Sequence, residues 1–136
     1  MAFMRGRARI TVIRVIDGDT VLAQVECPCC HIVSTQRVRL LGIDAPELDG
    51  ADRGAAIAAQ QYLAGLIVGN TVTVMIARAH PDLYGRMIGD LLINGVSASQ
   101  LMLQAGMACK YEDRQRRNGP FRGQPAPELP INDAVT

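Results

Sequence analysis

Residues 8–16 read Ala-Arg-Ile-Thr-Val-Ile-Arg-Val-Ile, a β-branched run that favours an extended strand. Asp17-Gly18-Asp19 stops that run with a turn, and residues 20–24 resume as a second strand. Residues 37–43 form a third, joined to the second by a long hairpin loop. Beyond Asp44-Ala45-Pro46-Glu47 the pattern changes. Residues 48–53 are a polar loop, and the Ala-rich segment 54–66, with Ile57, Tyr62, Leu63 and Leu66, has helical periodicity. Gly69-Asn70 ends the helix. Residues 71–77 and 86–93 read as a fourth and a fifth strand, separated by a loop over 80–85. Asn94-Gly95 is a tight-turn signal, and Ser97 with Gln100 forms a capping box for a short helix ending at Gly106.

Three strands, a helix, two strands and a helix suit a mainly β chain with helices (α+β), and a five-stranded barrel of the OB type with two to three helices. Parallel βαβ crossovers would need a helix between every pair of strands. The chain has 136 residues, enough for one domain with its own core. Aromatic residues are 4% and Trp is absent, so that core must be aliphatic. The expected domain covers residues 1–117. From 118 to 136 the composition shifts to Pro and Gly, with Gly119, Pro120, Gly123, Pro125, Pro127 and Pro130, as expected of a flexible tail.

Acidic residues gather at strand ends. Asp17 and Asp19 flank the first turn, and Asp44 and Glu47 follow the third strand. Antiparallel pairing of strands two and three brings Asp19 and Asp44 to one end of the barrel. Carboxylates meeting there repel unless a cation neutralises them, and an all-oxygen set suits a hard ion such as Ca2+ or Mg2+. Arg39 lies five residues before Asp44, and Arg86 opens the fifth strand. Two guanidiniums beside a cation and a carboxylate are the equipment of phosphoryl transfer. Each feature also has an ordinary structural reading: Asp-Gly-Asp as a turn, Pro-Glu as a loop entry, an arginine on a strand as a solvated side chain. Their joint occurrence in this order carries the functional reading.

Three segments then complete a pattern: Ile16-Asp17-Gly18-Asp19-Thr20-Val21, Val38-Arg39-Leu40-Leu41-Gly42-Ile43-Asp44-Ala45-Pro46-Glu47, and Asp82-Leu83-Tyr84-Gly85-Arg86. Together they resemble the signature segments of the staphylococcal nuclease (thermonuclease-like) family, over about residues 11–108. The resemblance implies an OB barrel and Ca2+-dependent hydrolysis of DNA and RNA, with Mg2+ as a substitute. By position, Asp19 and Asp44 would be side-chain metal ligands and Ala45 would add its backbone carbonyl. Glu47 would orient or deprotonate the attacking water. Arg39 and Arg86 would bind the scissile phosphate and stabilise the transition state, with Tyr84 beside the nucleotide. Expulsion of the 5′ oxygen would leave a 3′ phosphate.

The chain departs from that family in four places. Leu83 replaces a basic residue that contacts a terminal phosphate. The 48–53 loop is short. The family's C-terminal helix gives way to the Pro-rich tail, and the aromatic pattern around Tyr111 does not align. None of these removes a metal or phosphate group.

Cys27-Pro28-Cys29-Cys30-His31 stands apart, in the hairpin between strands two and three. Three readings are open for Cys27, Cys29, Cys30 and His31: ordinary loop thiols, a Cys27–Cys30 disulfide or other bridge, and Zn2+ held within one chain or shared by a dimer. The hairpin tip should lie about 20 Å from Asp19 at strand rise. His80, in a loop beside Pro81, has no partner motif.

Net charge is +1, so nucleic-acid binding must come from local placement of arginine, which supplies 13 of the 14 basic residues. Arg5, Arg7 and Arg9, and Arg114, Arg116 and Arg117, could touch backbone phosphates, or simply solvate the ends. DNA or RNA is the expected partner, with no membrane span and no obligate protein partner. The expected location is the cytoplasm, although a secreted protein stripped of its leader would read the same. Two rival functions remain: a catalytically silent OB module that binds nucleic acid or protein, and a small metal-storage or redox protein centred on the Cys loop. The first leaves the acidic and arginine residues idle and lacks stacking aromatics; the second leaves them unexplained.

Overall fold

The computed structural model describes residues 3–112. Five long strands, β1 (Gly6–Asp17), β2 (Thr20–Glu26), β3 (Val33–Leu40), β5 (Val72–Ile76) and β6 (Met87–Ile93), make a sheet in the order β3-β2-β1-β5-β6. Its edges meet: β3 pairs in parallel with β6, from Val38↔Met87 to Leu40↔Gly89, which closes the barrel. Every other pairing between the long strands is antiparallel. The fold is the expected OB barrel with two helices, α1 (Arg53–Ile67) and α2 (Ala98–Gln104).

Closure asks one strand to bend around the barrel, and β1 does so. Its register with β2 slips between Val12 and Arg14 and again between Val15 and Asp17, two irregularities that add twist. Where β5 and β6 press together a side chain would not fit: a Cβ on Gly89 would fall 2.7 Å from Val74 Cγ2 and 2.9 Å from the Met75 carbonyl oxygen. The core is aliphatic, with Val21, Val38, Leu40, Ile43, Leu63, Val74, Leu91 and Met102 almost fully buried. Each such side chain contributes roughly 1.5–3 kcal/mol by leaving water.

Helix α1 starts at the Asp52 N-cap, whose carboxylate accepts from Ala55 N at 2.9 Å, and lays Ala56, Ala59 and Leu63 on the barrel. Asn94 and Gly95, with φ of 52° and 86°, make the turn from β6 into β7 (Val96–Ser97). Ser97 then caps α2. The Ser97 cap and the Asn-Gly turn agree with the sequence reading; the Asp52 cap was not foreseen.

Two strand boundaries do not. Strand three starts at Val33, four residues earlier than expected, and ends at Leu40. A turn at Leu41-Gly42, with Gly42 at φ 83°, detaches Ile43–Asp44 as β4. That short strand pairs with β8 (Cys109–Lys110) outside the barrel sheet. Arg86 precedes β6 rather than opening it. It sits in a turn where Asp82 N donates to Arg86 O (2.9 Å) and Gly85 takes φ 78°. Local pattern could not show either event, because both are set by side-chain to backbone bonds. Tyr111 and Glu112, the last described residues, have helical backbone. The expected tail 118–136 and the arginines at 114, 116 and 117 lie outside the described residues. Among the described residues no helix is long and apolar enough to cross a membrane.

Candidate active site

Antiparallel pairing of β2 with β3 sets Thr20 opposite Arg39, so Asp19 at the head of β2 meets the end of β3. Asp19 is 5% exposed. Its Oδ2 accepts from Ala45 N at 2.8 Å and its Oδ1 accepts from Thr20 Oγ1 at 3.0 Å. The Asp19 carbonyl in turn accepts from Leu40 N at 2.8 Å. The carboxylate is therefore locked in place by the segment that carries Asp44.

Arg39 is 9% exposed and faces inward along the same rim. Its Nη1 donates to the carbonyls of Leu40 (2.9 Å) and Ile43 (2.8 Å), which holds the Leu41-Gly42 turn closed. Its Nη2 lies 3.3 Å from Asp44 Oδ1 and 3.6 Å from Asp19 Oδ2. One guanidinium nitrogen thus touches both carboxylates, which places Asp19, Asp44 and Arg39 in one cluster. Asp17 completes the acidic rim, its Oδ1 accepting from Asp19 N at 3.3 Å. Burial first, then the hydrogen bond to the Asp19 side chain and its like charge, push the Asp17 carboxyl up to about 7.

Glu47 follows three residues after Asp44 and is exposed, in a turn closed by Gly50 N donating to Glu47 O at 2.9 Å. The second arginine reaches the site by topology. The parallel β3–β6 pairing sets Arg39 beside Ile88, two residues past Arg86. Arg39 and Arg86 line one cleft of about 170 Å³ with Arg78, Asp82 and Tyr111. Asp82 organises its far wall. Its Oδ1 accepts from Tyr84 N (2.9 Å) and Arg86 N (2.8 Å), and its Oδ2 accepts from Arg86 Nε (2.8 Å). Burial raises this carboxyl, but the two amide donors and the guanidinium outweigh it and hold it below the usual value. Tyr84 is 71% exposed, with the Arg86 guanidinium 5.1 Å from its ring centroid. Arg37 Nη2 donates to the Tyr84 carbonyl at 2.6 Å. Leu83 points into solvent.

Arg78, Arg37 and the bracing role of Asp82 escaped the sequence reading. Asp82 stood in a motif already singled out, and its spacing of four from Arg86 was the available signal. Arg78 has no local signature at all.

For a cation, the donor chemistry fits in kind. Two carboxylates converge at this rim with the Ala45 backbone alongside, an all-oxygen set that suits Ca2+ or Mg2+ and not a soft ion. Among the described residues no three His, Cys, Asp or Glu side chains gather as a ready metal group. A bound cation would therefore complete its shell with carbonyl, water and phosphate oxygens.

The same holds at the Cys loop, where Cys27, Cys29, Cys30 and His31 do not present three side chains gathered as a metal group. No disulfide joins Cys27 to Cys30, and Cys27, Cys29 and Cys30 carry thiols. The turn is nonetheless ordered. Cys30 N donates to Cys27 Sγ at 3.4 Å, and His31 N donates to Cys27 O at 3.0 Å. Hydrogen bonds from Cys30, then from the Cys29 amide, push the Cys27 thiol down to about 7. His31 holds φ 64°, with Nδ1 2.8 Å from Glu26 Oε2.

The closed OB barrel thus carries Asp19, Asp44 and Arg39 in one cluster, with Arg86 beside Arg39 in one cleft. The family model described as staphylococcal nuclease homologue matches residues 37–123, and the chain belongs to that family. The matched span contains Arg39, Asp44, Glu47 and Arg86; Asp19 lies before it. The chain is also similar to an uncharacterised 38.1 kDa protein of Capnoides sempervirens, 37% identical over 81 residues. That match covers 60% of this chain and only 22% of the relative.

Proposed function

We propose that this protein is a divalent-metal-dependent nuclease that hydrolyses phosphodiester bonds of DNA or RNA. The observation that carries the reading is the convergence of Asp19 and Asp44 on the Arg39 guanidinium, with Arg39 and Arg86 lining one cleft. Arg39 and Arg86 bind the non-bridging oxygens of the scissile phosphate and offset the charge that grows there in the transition state. Asp82 keeps Arg86 aimed, so little reorganisation is needed when phosphate arrives. Asp19 and Asp44, with the Ala45 carbonyl, hold Ca2+ or Mg2+, which supplies Lewis-acid polarisation of a phosphate oxygen when bound. Glu47, exposed at the mouth of the rim, orients a water or takes its proton as that water attacks phosphorus. Tyr84 lies against the nucleotide. Departure of the 5′ oxygen leaves a 3′ phosphate.

A silent binding module would need Arg39 only to close the Leu41-Gly42 turn and would leave its contact with Asp19 and Asp44 without a task. Fluorescent single-stranded DNA and RNA, incubated with purified protein in Ca2+, in Mg2+ and in EDTA, test the reading. Cleavage with cation and its loss in chelator are expected. Equal cleavage in EDTA, or none with either cation, would overturn it.

A further inference from the structure

The Cys loop lies at the far end of the β2–β3 hairpin from Asp19, and the proposed nuclease chemistry makes no use of it. Its geometry nonetheless has the form of a metal-binding turn. Cys27 and Cys30 have the two-residue spacing of thiolate chelates. The Cys30 amide already points at Cys27 Sγ, 3.4 Å away, the donor a metal-bound thiolate needs to spread its negative charge. His31, directly after the second cysteine, is held left-handed at φ 64°. A side chain with a Cβ is strained there, and such strain persists where the surrounding structure insists on the turn. The insistence is visible: His31 N bonds back to Cys27 O at 3.0 Å, and His31 Nδ1 is tied to Glu26 Oε2 at 2.8 Å. Cys29, adjacent to Cys30, lacks the two-residue spacing from Cys27 that a thiolate chelate uses.

Two thiolates are half of a tetrahedral set, and no third His, Cys, Asp or Glu among the described residues stands ready to extend it. The turn sits at a protruding hairpin tip, and Ile32 and Val33 beside it are 67% and 55% exposed. That is apolar surface which a second tip could cover. We propose that Cys27 and Cys30 bind a thiophilic divalent cation, Zn2+ by ligand chemistry, whose remaining two positions are filled by the same cysteines of a second copy of this chain.

Co2+ reports the site, because thiolate ligation gives an intense sulfur-to-metal charge-transfer band that oxygen ligands at the acidic rim do not. Reduced, metal-free full-length protein is titrated with Co2+ while light scattering follows mass. The charge-transfer band should saturate at one Co2+ per two chains, together with dimer formation, and Zn2+ should displace it. Cys27→Ser and Cys30→Ser should each lose the band and the dimer; Cys29→Ser should keep both. Far-UV circular dichroism checks that each variant retains the barrel. A band saturating at one Co2+ per monomeric chain, a band unchanged in Cys27→Ser, or no thiolate band in the folded unmutated protein would overturn the proposal.

Discussion

Arg39 answers to two demands at once. Its Nη1 closes the β3–β4 turn through two carbonyls, while its Nη2 faces both carboxylates of the rim. Lysine keeps the charge but cannot serve both sets of acceptors from one planar group. Asp82 is simpler, since everything it touches belongs to the Tyr84–Arg86 turn. Its carboxyl sits below the ordinary 3.8, so the stability it confers is present above that value and falls away as pH drops through the lower folded value. Asp82→Asn should accordingly lower the thermal midpoint at pH 7, with the gap from the unmutated protein closing in strong acid. Thermal unfolding followed by circular dichroism across that range checks it, and a gap that widens in acid would contradict the sign. The same substitution should slow cleavage by freeing Arg86.

Among the elements, the Asp17-Gly18-Asp19 turn is the tightest junction between core and site. A Cβ on Gly18 would fall 2.7 Å from Ala59 Cβ on α1 and 2.8 Å from Ala45 Cβ, just past β4. Gly18→Ala should cost roughly 1–3 kcal/mol by overpacking. It should also lower activity more than its stability loss explains, because Ala45 N anchors Asp19. Urea unfolding and cleavage rates measured side by side separate the two effects. Much of this was legible beforehand. Asp-Gly-Asp as a turn, Asp19 beside Asp44, and the Ser97 and Asn94-Gly95 signals all rest on local chemistry or on one hairpin pairing. What stayed hidden depends on distant contacts. Arg86 comes near Arg39 only because β3 and β6 pair in parallel, with 46 residues between the two arginines in sequence. Strand three could not be divided by inspection, since its break depends on Arg39 folding back onto Ile43 O. The ordered Cys27 turn was equally invisible, because nothing in the spelling of residues 27–31 says that His31 will turn left-handed.

For the whole molecule, a net charge of +1 leaves the proposed substrate to be held by locally placed arginines and not by bulk charge. If Arg39 and Arg86 share the one scissile phosphate, binding of a single-stranded oligonucleotide should weaken with salt at a log–log slope of only about −0.7, the value for one neutralised phosphate. The catalytically impaired Glu47→Gln protein, with Ca2+ held saturating, allows that Kd to be measured by fluorescence anisotropy. A slope several times steeper would mean that a further basic surface binds the strand. The barrel itself is scaffolding: it brings β2, the end of β3 and the start of β6 to one rim, and the chemistry follows from what those ends carry. Initial rates of Ca2+-supported oligonucleotide cleavage by unmutated, Glu47→Gln and Arg39→Lys proteins, each confirmed folded, test this most directly. Losses of about 100-fold or more are expected in both variants. An Arg39→Lys protein cleaving at the unmutated rate would contradict the account.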